Sequence, residues 1–225
     1  MKLAVCLTSC NRQDLTRKAI ARQREIDPAI FIVVADAAKE PTKDFDCDSY
    51  IHTPGTPHGH TAHKAMMLGM ASGATALVTA NDDALPPLTY RETMDAEWRA
   101  LDIGGSNPGI LAASSENIKG PGCRREGPME RVPFVVPVFA WTTPEAYCLA
   151  PFAADIPVNW FSDDCLSIDM KREGFTLWNS SCFVEHLGSQ SLKASGHSPN
   201  FDDFHGRRWM RARYGPKWME ELARM

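Results

Sequence analysis

Acidic residues follow an apolar run at positions 76–80, and their spacing could hold a metal ion. Asp82 and Asp83 come directly after Asn81, at the end of this run. Two adjacent carboxylates at the end of a buried strand are costly unless they are solvated or bound to a cation. Carboxylate oxygens suit Mg²⁺ and Mn²⁺, and such a cation commonly neutralises charge on a departing diphosphate. The same three residues also favour an ordinary turn, so a structural role remains the alternative.

A second pair of carboxylates, Asp163 and Asp164, lies at the start of a helix that the sequence predicts over 163–173. The helix dipole favours the charged form of a carboxyl group at this end. An ionised carboxylate on a fixed element can accept a proton from an attacking hydroxyl, which makes these residues candidates for a general base. The alternative is that both only stabilise the helix N-terminus, by about 0.3–1 kcal/mol each.

Histidines could add nitrogen ligands, and they fall in two places. His58, His60 and His63 occur in a Gly- and Pro-rich stretch that leads into a predicted helix, and His186 follows a predicted strand. A zinc site needs three or four ligands that converge, and the metalloprotease pattern H-E-x-x-H is absent. We therefore favour contact of His63 or Lys64 with a phosphate-bearing ligand near the helix N-terminus. The role of His186 depends on the residues that the fold brings next to it.

The elements that must position these residues alternate between strand and helix through the first half of the chain. The predicted strands are 3–7, 31–35, 49–52, 76–80 and 110–113, and the predicted helices are 15–23, 61–72 and 89–101. This alternation predicts an α/β fold with a mostly parallel sheet flanked by helices on both faces. Ligands of such a sheet bind beyond the carboxyl ends of the strands. Three of these ends carry polar residues, which are Thr8–Arg12, Asp36 and Asn81–Asp83.

The second half of the chain is less regular. Residues 114–131 are rich in Gly, Pro and charge and predict a long loop, which carries Lys119, Arg124 and Arg125. Predicted strands follow at 132–140, 146–149, 176–178 and 182–185, and a terminal helix closes the chain. Two helix starts have cap signals, a Thr89–Glu92 capping box and an N-cap at Ser162.

Composition narrows the class of protein. The 225 residues are 44% hydrophobic with a formal net charge of -4, which fits one large globular domain and gives no strong attraction to nucleic acid or anionic lipid. The seven cysteines form no C-x-x-C pair, which indicates a reducing, cytoplasmic location. No apolar run approaches the length of a membrane span. A P-loop, a G-x-G-x-x-G after the first strand and a G-x-S-x-G elbow are all absent.

One late segment is locally basic. It combines cationic and aromatic side chains, namely Arg207, Arg208, Arg211, Arg213 and Lys217 with Trp209, Tyr214 and Trp218. It predicts either the solvated face of a terminal helix or a docking surface for an acceptor.

Taken in order, these segments resemble the family 2 glycosyltransferases of the GT-A fold. Residues 4–12 resemble that family's first strand and its Thr-x-x-Asn-Arg loop, and residues 78–83 resemble its Asp-x-Asp metal motif in the form Asn-Asp-Asp. The remaining similar segments are 33–36 (second strand and its Asp), 58–64 (helix entry, with His63-Lys64 in place of Arg-Asn), 160–175 (Gly-Glu-Asp helix, with Asp163 in place of Glu), 184–189 (terminal His motif) and 214–218 (Lys-Trp segment).

The resemblance implies a role for each candidate residue. Asp83 would be the main ligand of a divalent cation, Mn²⁺ or Mg²⁺, with His186 completing the contact. Asp164 would be the catalytic base beside Asp163, and transfer would invert the anomeric carbon. The residues expected to contact the donor, or to support the metal motif, are Thr8, Asn11, Arg12, Asp36, His63, Lys64, Asn81 and Asp82.

The resemblance also implies the partners and a division of the chain. The donor would be a nucleotide-sugar, with a UDP-sugar favoured, and the acceptor a saccharide or glycoconjugate; a hydroxylated base in DNA is the less favoured acceptor. Residues 1–190 would form one catalytic domain, with a nucleotide-binding half at 1–113, an acceptor half at 114–190, and a C-terminal loop and helix at 191–225. Two alternatives are a sugar-phosphate nucleotidyltransferase, whose Gly-rich basic signature the first loop lacks, and a non-catalytic nucleotide-sugar-binding module.

Overall fold

The structure is a computed structural model that describes residues 2–187 and 199–225, with the side chain of Pro199 left out. Gly188 and Ser189, which belong to the predicted terminal His motif, lie outside the described residues. Most of the predicted loop that opens the C-terminal segment also lies outside them.

The described residues contain ten strands, which form one large and one small sheet. They are β1 (Leu3–Ser9), β2 (Phe31–Asp36), β3 (Ser49–His52), β4 (Ala76–Asn81), β5 (Ala84–Leu85), β6 (Pro108–Ser114), β7 (Glu130–Arg131), β8 (Phe139–Thr142), β9 (Thr176–Phe183) and β10 (Glu185–His186). The large sheet has the order β3-β2-β1-β4-β8-β6-β9-β7, and β5 pairs with β10 in the small one. Most neighbours in the large sheet are parallel, and only β7 and β8 run antiparallel to their neighbours.

Helices cover both faces of the large sheet. They are α1 (Gln13–Ile26), α2 (His58–Ala71), α3 (Tyr90–Ile103), α4 (Pro144–Leu149), α5 (Ser162–Arg172), α6 (Pro199–Tyr214) and α7 (Trp218–Ala223). Successive residues of β1 point to opposite faces, so Val5 and Leu7 join one hydrophobic core and Ala4 and Cys6 join the other. This two-sided burial explains why the strand is apolar throughout, and it confirms the predicted α/β class.

Two predicted strands of the second half are wrong. Residues 146–149 belong to helix α4, because Pro144 occupies its first turn and the hydroxyl of Thr143 accepts a hydrogen bond from the amide of Ala146 at 3.2 Å. The predicted strand 132–140 is strand only from Phe139 onward. Proline has no amide to donate to a sheet, and the segment between β7 and β8 contains two prolines, Pro133 and Pro137.

Smaller differences concern caps and strand length. Thr89 forms no side-chain cap, and Ser162 is the first residue of α5 and not its N-cap. Phe161 precedes that helix in the left-handed conformation, with φ 71°. The strands predicted at 176–178 and 182–185 are largely one continuous strand, β9. In the described parts of the chain, no helix is long and apolar enough to span a bilayer.

We expect Gly69→Ala to destabilise the protein, because helix α2 packs tightly against the sheet at this residue. A Cβ at this position would lie 2.5 Å from Sγ of Cys6 and 3.2 Å from a methyl group of Leu77. Overpacking a core costs about 1–3 kcal/mol, which offsets the gain of about 1 kcal/mol from replacing glycine in a helix. Thermal unfolding measures the difference, and Met67→Ala on the exposed side of α2 is the control. A Gly69→Ala protein as stable as wild type would contradict this packing.

Candidate active site at the strand ends

The parallel strands β1 and β4 end at the same edge of the sheet, and this edge collects the polar residues. Thr8 pairs with Asn81 in the strand register. The amide of Asp82 donates to the carbonyl of Thr8 at 3.1 Å, and the amide of Cys10 donates to Oδ2 of Asp82 at 3.3 Å. The two segments that the sequence singled out separately are therefore one continuous site.

Asp83 and His186 form a buried pair beside this edge. Nε2 of His186 lies 3.1 Å from Oδ1 of Asp83, and the two side chains are 7% and 5% exposed. The small sheet makes this contact, because its register places His186 opposite Ala84, and the amide of Leu187 donates to the carbonyl of Asp83 at 3.1 Å. Nδ1 of His186 is buried and has no hydrogen-bond partner among the residues that the structure describes.

The separation within this pair fits two ligands of one divalent cation. Neighbouring ligands about 2.1 Å from an octahedral cation lie about 3.0 Å apart, close to the observed 3.1 Å. Within residues 2–187 and 199–225, no three His, Cys, Asp or Glu side chains group closely enough to hold a metal alone. Mg²⁺ commonly keeps one or two protein carboxylates and completes its shell with phosphate oxygens and water, so a pair is sufficient.

His58 connects this edge to helix α5, and the sequence analysis did not identify it as a site residue. Its Nε2 lies 3.1 Å from Oδ1 of Asn81 and 3.4 Å from the hydroxyl of Thr8, and its Nδ1 lies 3.4 Å from the hydroxyl of Ser162. Burial lowers the pKa of His58. The sequence does carry a signal for this position, which is Pro57 immediately before His58. Proline is common at the start of a helix, so Pro57 would have moved the predicted helix start from 61 to 58.

The structure does not bring His63 and Lys64 to this cluster. Nδ1 of His63 lies 3.0 Å from the hydroxyl of Tyr147, and Lys64 is exposed. Five residues along a helix turn the side chain by about 140°, so His58 and His63 cannot both face the strand ends. The structure places His63 beside Tyr147 and His58 beside the strand ends, and the donor contact of His63 and Lys64 stays a prediction.

Asp36 is fully buried and already bound by protein groups. Its Oδ1 accepts from the amide of Ala38 at 3.0 Å, and its Oδ2 accepts from the hydroxyls of Thr42 at 2.8 Å and Tyr50 at 3.1 Å. Direct contact of this carboxylate with a nucleoside would require rearrangement of the loop after β2. In the structure Asp36 instead organises that loop.

Asn11 and Arg12 lie on the exposed loop after β1. Asn11 has φ 57°, which turns the chain sharply there. Arg12 donates to both carboxylate oxygens of Asp14 at 3.1 Å. The pKa of Arg12 is raised first by this hydrogen bond, and the charges of Asp82 and Asp83 add to the effect. The guanidinium therefore lies within electrostatic reach of the acidic edge.

Asp163 and Asp164 lie in the first turn of α5, next to Ser162. Burial is the main cause that raises the pKa of Asp164 to about 7, and the neighbouring charge of Asp163 adds to it. The positive charge of Arg207 on α6 acts in the opposite direction and lowers the pKa of Asp164. Burial also raises the pKa of Asp163.

A cavity of about 430 Å³ has His186 in its lining, which combines carboxylates, an amide, a guanidinium and an aromatic ring. Arg125 pairs with Glu116 at 3.1 Å and lies over the ring of Phe183, 5.4 Å from its centroid. Arg124, by contrast, pairs with Glu130 at 2.7 Å. The lining residues are Ser115, Glu116, Asn117, Arg125, Phe183, Glu185, His186 and Leu187.

Solved structures share this fold, although comparison with family models and with curated proteins finds no match. S. aureus TarS 1-349 aligns with a TM-score of 0.55 and 12% identity over 81% of this chain and 60% of its own. A197 from STIV aligns with a TM-score of 0.51 and 12% identity over 83% of this chain and 86% of its own. TarS 1-349 in complex with UDP aligns with a TM-score of 0.53 and 13% identity over 81% of this chain and 60% of its own.

The chain spans three fifths of the length of that TarS fragment and 38% of the longer TarS chain. At this identity the likeness concerns the fold, and it confirms the predicted GT-A architecture.

Proposed function

We propose that the chain is a glycosyltransferase, which moves a sugar from a nucleoside diphosphate donor to an acceptor hydroxyl. The observation that carries the proposal is the buried contact between Asp83 and His186, next to the shared ends of β1 and β4. In an open α/β sheet this edge is where ligands bind. A solved neighbour of the same fold is in complex with UDP, which supports a nucleotide ligand and favours uracil as the base.

The donor would lie along the loop after β1 and the end of β4. Thr8, Asn11 and Arg12 line one side of this region, and Asn81 and Asp82 line the other. Arg12 would contribute positive charge toward the diphosphate, in competition with its present partner Asp14. The N-terminus of α2 begins at His58 and adds the positive end of a helix dipole beside Asn81.

Asp83 and His186 would hold the divalent cation. The cation supplies neutralisation of the charge that develops on the leaving diphosphate. These two residues would have to exchange their mutual hydrogen bond for bonds to the ion, which needs little movement at a separation of 3.1 Å. Burial of both side chains keeps water from competing for these positions.

Asp164 is the proposed base. A carboxyl group with a pKa of about 7 is partly ionised at neutral pH and is well matched to accepting a proton from a hydroxyl. As that proton moves to Asp164, the acceptor oxygen forms a bond to the anomeric carbon. The bond from that carbon to the diphosphate oxygen breaks on the opposite side, so the configuration inverts.

The acceptor is proposed to be a saccharide or glycoconjugate. The cavity beside His186 offers carboxylates, an amide and an aromatic face, which suit hydroxyl groups and the apolar face of a sugar ring. A base in DNA is less favoured, because parts of the basic segment are already paired: Arg207 with Asp203 at 2.8 Å, and Arg213 with Asp169 at 3.3 Å.

We expect nucleotide-sugars to raise the melting temperature in the presence of Mn²⁺. A ligand at 100 times its dissociation constant adds about 2.7 kcal/mol. For a chain of this size that corresponds to roughly 5–11 °C. The assay compares UDP-, GDP-, CDP- and dTDP-sugars, each with Mn²⁺ or with EDTA. If none of the four donors shifts the unfolding transition, the proposed function fails.

Product analysis separates the competing classes. A glycosyltransferase releases a nucleoside diphosphate from a nucleotide-sugar. A nucleotidyltransferase instead releases pyrophosphate from a nucleoside triphosphate and a sugar 1-phosphate. Binding without either product would favour the non-catalytic module.

A further inference from the structure

In the structure the amide of Asn81 turns its oxygen toward His58. Oδ1 of Asn81 lies 3.1 Å from Nε2 of His58, and this arrangement requires the proton on Nε2. Nδ1 of the neutral ring is then an acceptor for a hydrogen bond from the hydroxyl of Ser162, which lies 3.4 Å away. The hydroxyl of Thr8 lies 3.5 Å from Oδ1 of Asn81 and 3.4 Å from the carbonyl oxygen of Ala80, and its one proton serves one of them at a time. Nε2 of His58 is therefore the nearer of the two groups on the oxygen side of the amide.

Nδ2 of Asn81 has no hydrogen-bond partner within the parts of the chain that the structure describes, and Asn81 is partly exposed. An NH₂ group donates and does not accept. The first residue of the Asn-Asp-Asp sequence can therefore donate a hydrogen bond, whereas the two carboxylates that follow it accept.

The same histidine also fixes the start of helix α5. Its backbone amide donates to Oδ1 of Asn159 at 3.0 Å, and its ring lies edge-on to Phe152 with centroids 6.5 Å apart. The next residue is Gly59, where a Cβ would lie 3.0 Å from Cβ of Ser162. Helices α2 and α5 therefore meet closely at the point where the ring bridges them.

We propose that His58 is a positioning residue, which turns Asn81 so that its NH₂ group donates to the diphosphate of the donor and ties the end of β4 to the start of α5. The proposal rests on the proposed function and adds a residue and a contact to it. An anionic diphosphate is the partner that an unpaired NH₂ donor recognises, because hydrogen bonds to charged groups are the stronger ones.

Asn81→Asp tests the direction of the amide. Aspartate keeps the shape and the oxygen that faces His58, and it replaces the Nδ2 donor with a second oxygen. We expect Asn81→Asp to weaken binding of UDP, measured by calorimetry with Mn²⁺, by more than the roughly tenfold loss expected for Asn81→Ala. Equal or tighter binding by Asn81→Asp would overturn the proposal, because residue 81 would then be a cation ligand.

His58→Phe and His58→Gln test the positioning role. Phenylalanine keeps the ring and loses the hydrogen bonds, and we expect it to weaken UDP binding about tenfold. Glutamine places an NH₂ near the position of Nε2 and should restore binding to within about threefold of wild type. In the Asn81→Ala background, His58→Phe should have no further effect on binding, because the two residues act through one contact.

His60→Phe is the matched control. His60 lies on the same turn of α2, and its Nδ1 bonds to the carbonyl of Ala154 at 3.1 Å, away from Asn81. A structural role alone predicts equal losses for His58→Phe and His60→Phe, or effects that multiply in the double variant, and either result would overturn the proposal. Wild-type protein that binds none of UDP, GDP, CDP or dTDP would instead refute the proposed function, and this inference with it.

Discussion

Asp83→Ala is expected to abolish the part of donor binding that depends on Mn²⁺ and to lower transfer by about 10²–10³-fold, the effect of removing one element of electrostatic stabilisation. The buried contact with His186 is the reason, because it provides one carboxylate and one imidazole at a separation suited to a single cation. Two measurements check this: the shift in melting temperature that Mn²⁺ produces with UDP present, and the initial rate of UDP release. The first of these does not depend on turnover.

The control for this prediction is Asp46→Ala. The carboxylate of Asp46 is 81% exposed, and its ion pair is with Arg24 and not with a residue at the strand ends. It should leave both measurements unchanged. His186→Asn should reproduce the loss of the Mn²⁺ shift, because it removes the other half of the pair. A protein with Asp83→Ala that still responds to Mn²⁺ like wild type would show that the cation, if required, binds elsewhere.

Asp164→Asn is expected to keep donor binding and to lower transfer by about 10²–10⁴-fold, the usual contribution of a general base. The amide has nearly the same size and cannot accept the proton of the acceptor hydroxyl. The melting-temperature shift with UDP-sugar should therefore stay close to wild type while UDP release falls. Normal transfer by Asp164→Asn would show that the base is another residue.

The pH profile gives a second test of the same residue. The base acts when it is deprotonated, so kcat/KM of the wild type should rise with pH and level off above about pH 7. Asp163→Asn removes a negative charge that raises the pKa of Asp164, so the inflection should move to lower pH. Unchanged inflection in Asp163→Asn would mean that the two carboxyl groups do not interact.

The free energy of unfolding should fall with rising pH because of Asp164, whereas kcat/KM should rise. Its carboxyl group has a pKa of about 7 in the folded protein against an ordinary value of 3.8. Between these values the folded state holds a proton that the unfolded state has lost, so stability declines as pH rises through this window. Asp164→Asn should remove that decline, which denaturant unfolding at pH 5 and pH 8 would measure.

The sequence by itself determined the sheet and the strand ends. Short apolar runs that alternate with helical spacing predicted parallel strands, and Thr8 and Asn81 were expected at one edge because parallel neighbours end together. The register of β1 and β4 confirms this. The local pattern of apolar residues was sufficient to predict these strands, because a strand that is buried on both faces is apolar at consecutive positions.

Only the tertiary structure decided which distant side chains meet. The contact between Asp83 and His186 depends on a two-residue strand pair, β5 with β10, which is too short to leave any periodicity in the sequence. Which histidine faces the strand ends depended on where α2 begins. The helix begins three residues earlier than predicted, and three residues turn the direction of a side chain by about 300°. The hydrogen bonds of His58 to Asn81 and to Ser162 likewise join segments far apart in the chain. Hydrogen bonds of this kind are set by the order of strands and the packing of helices, and neither is encoded in the spacing of neighbouring residues.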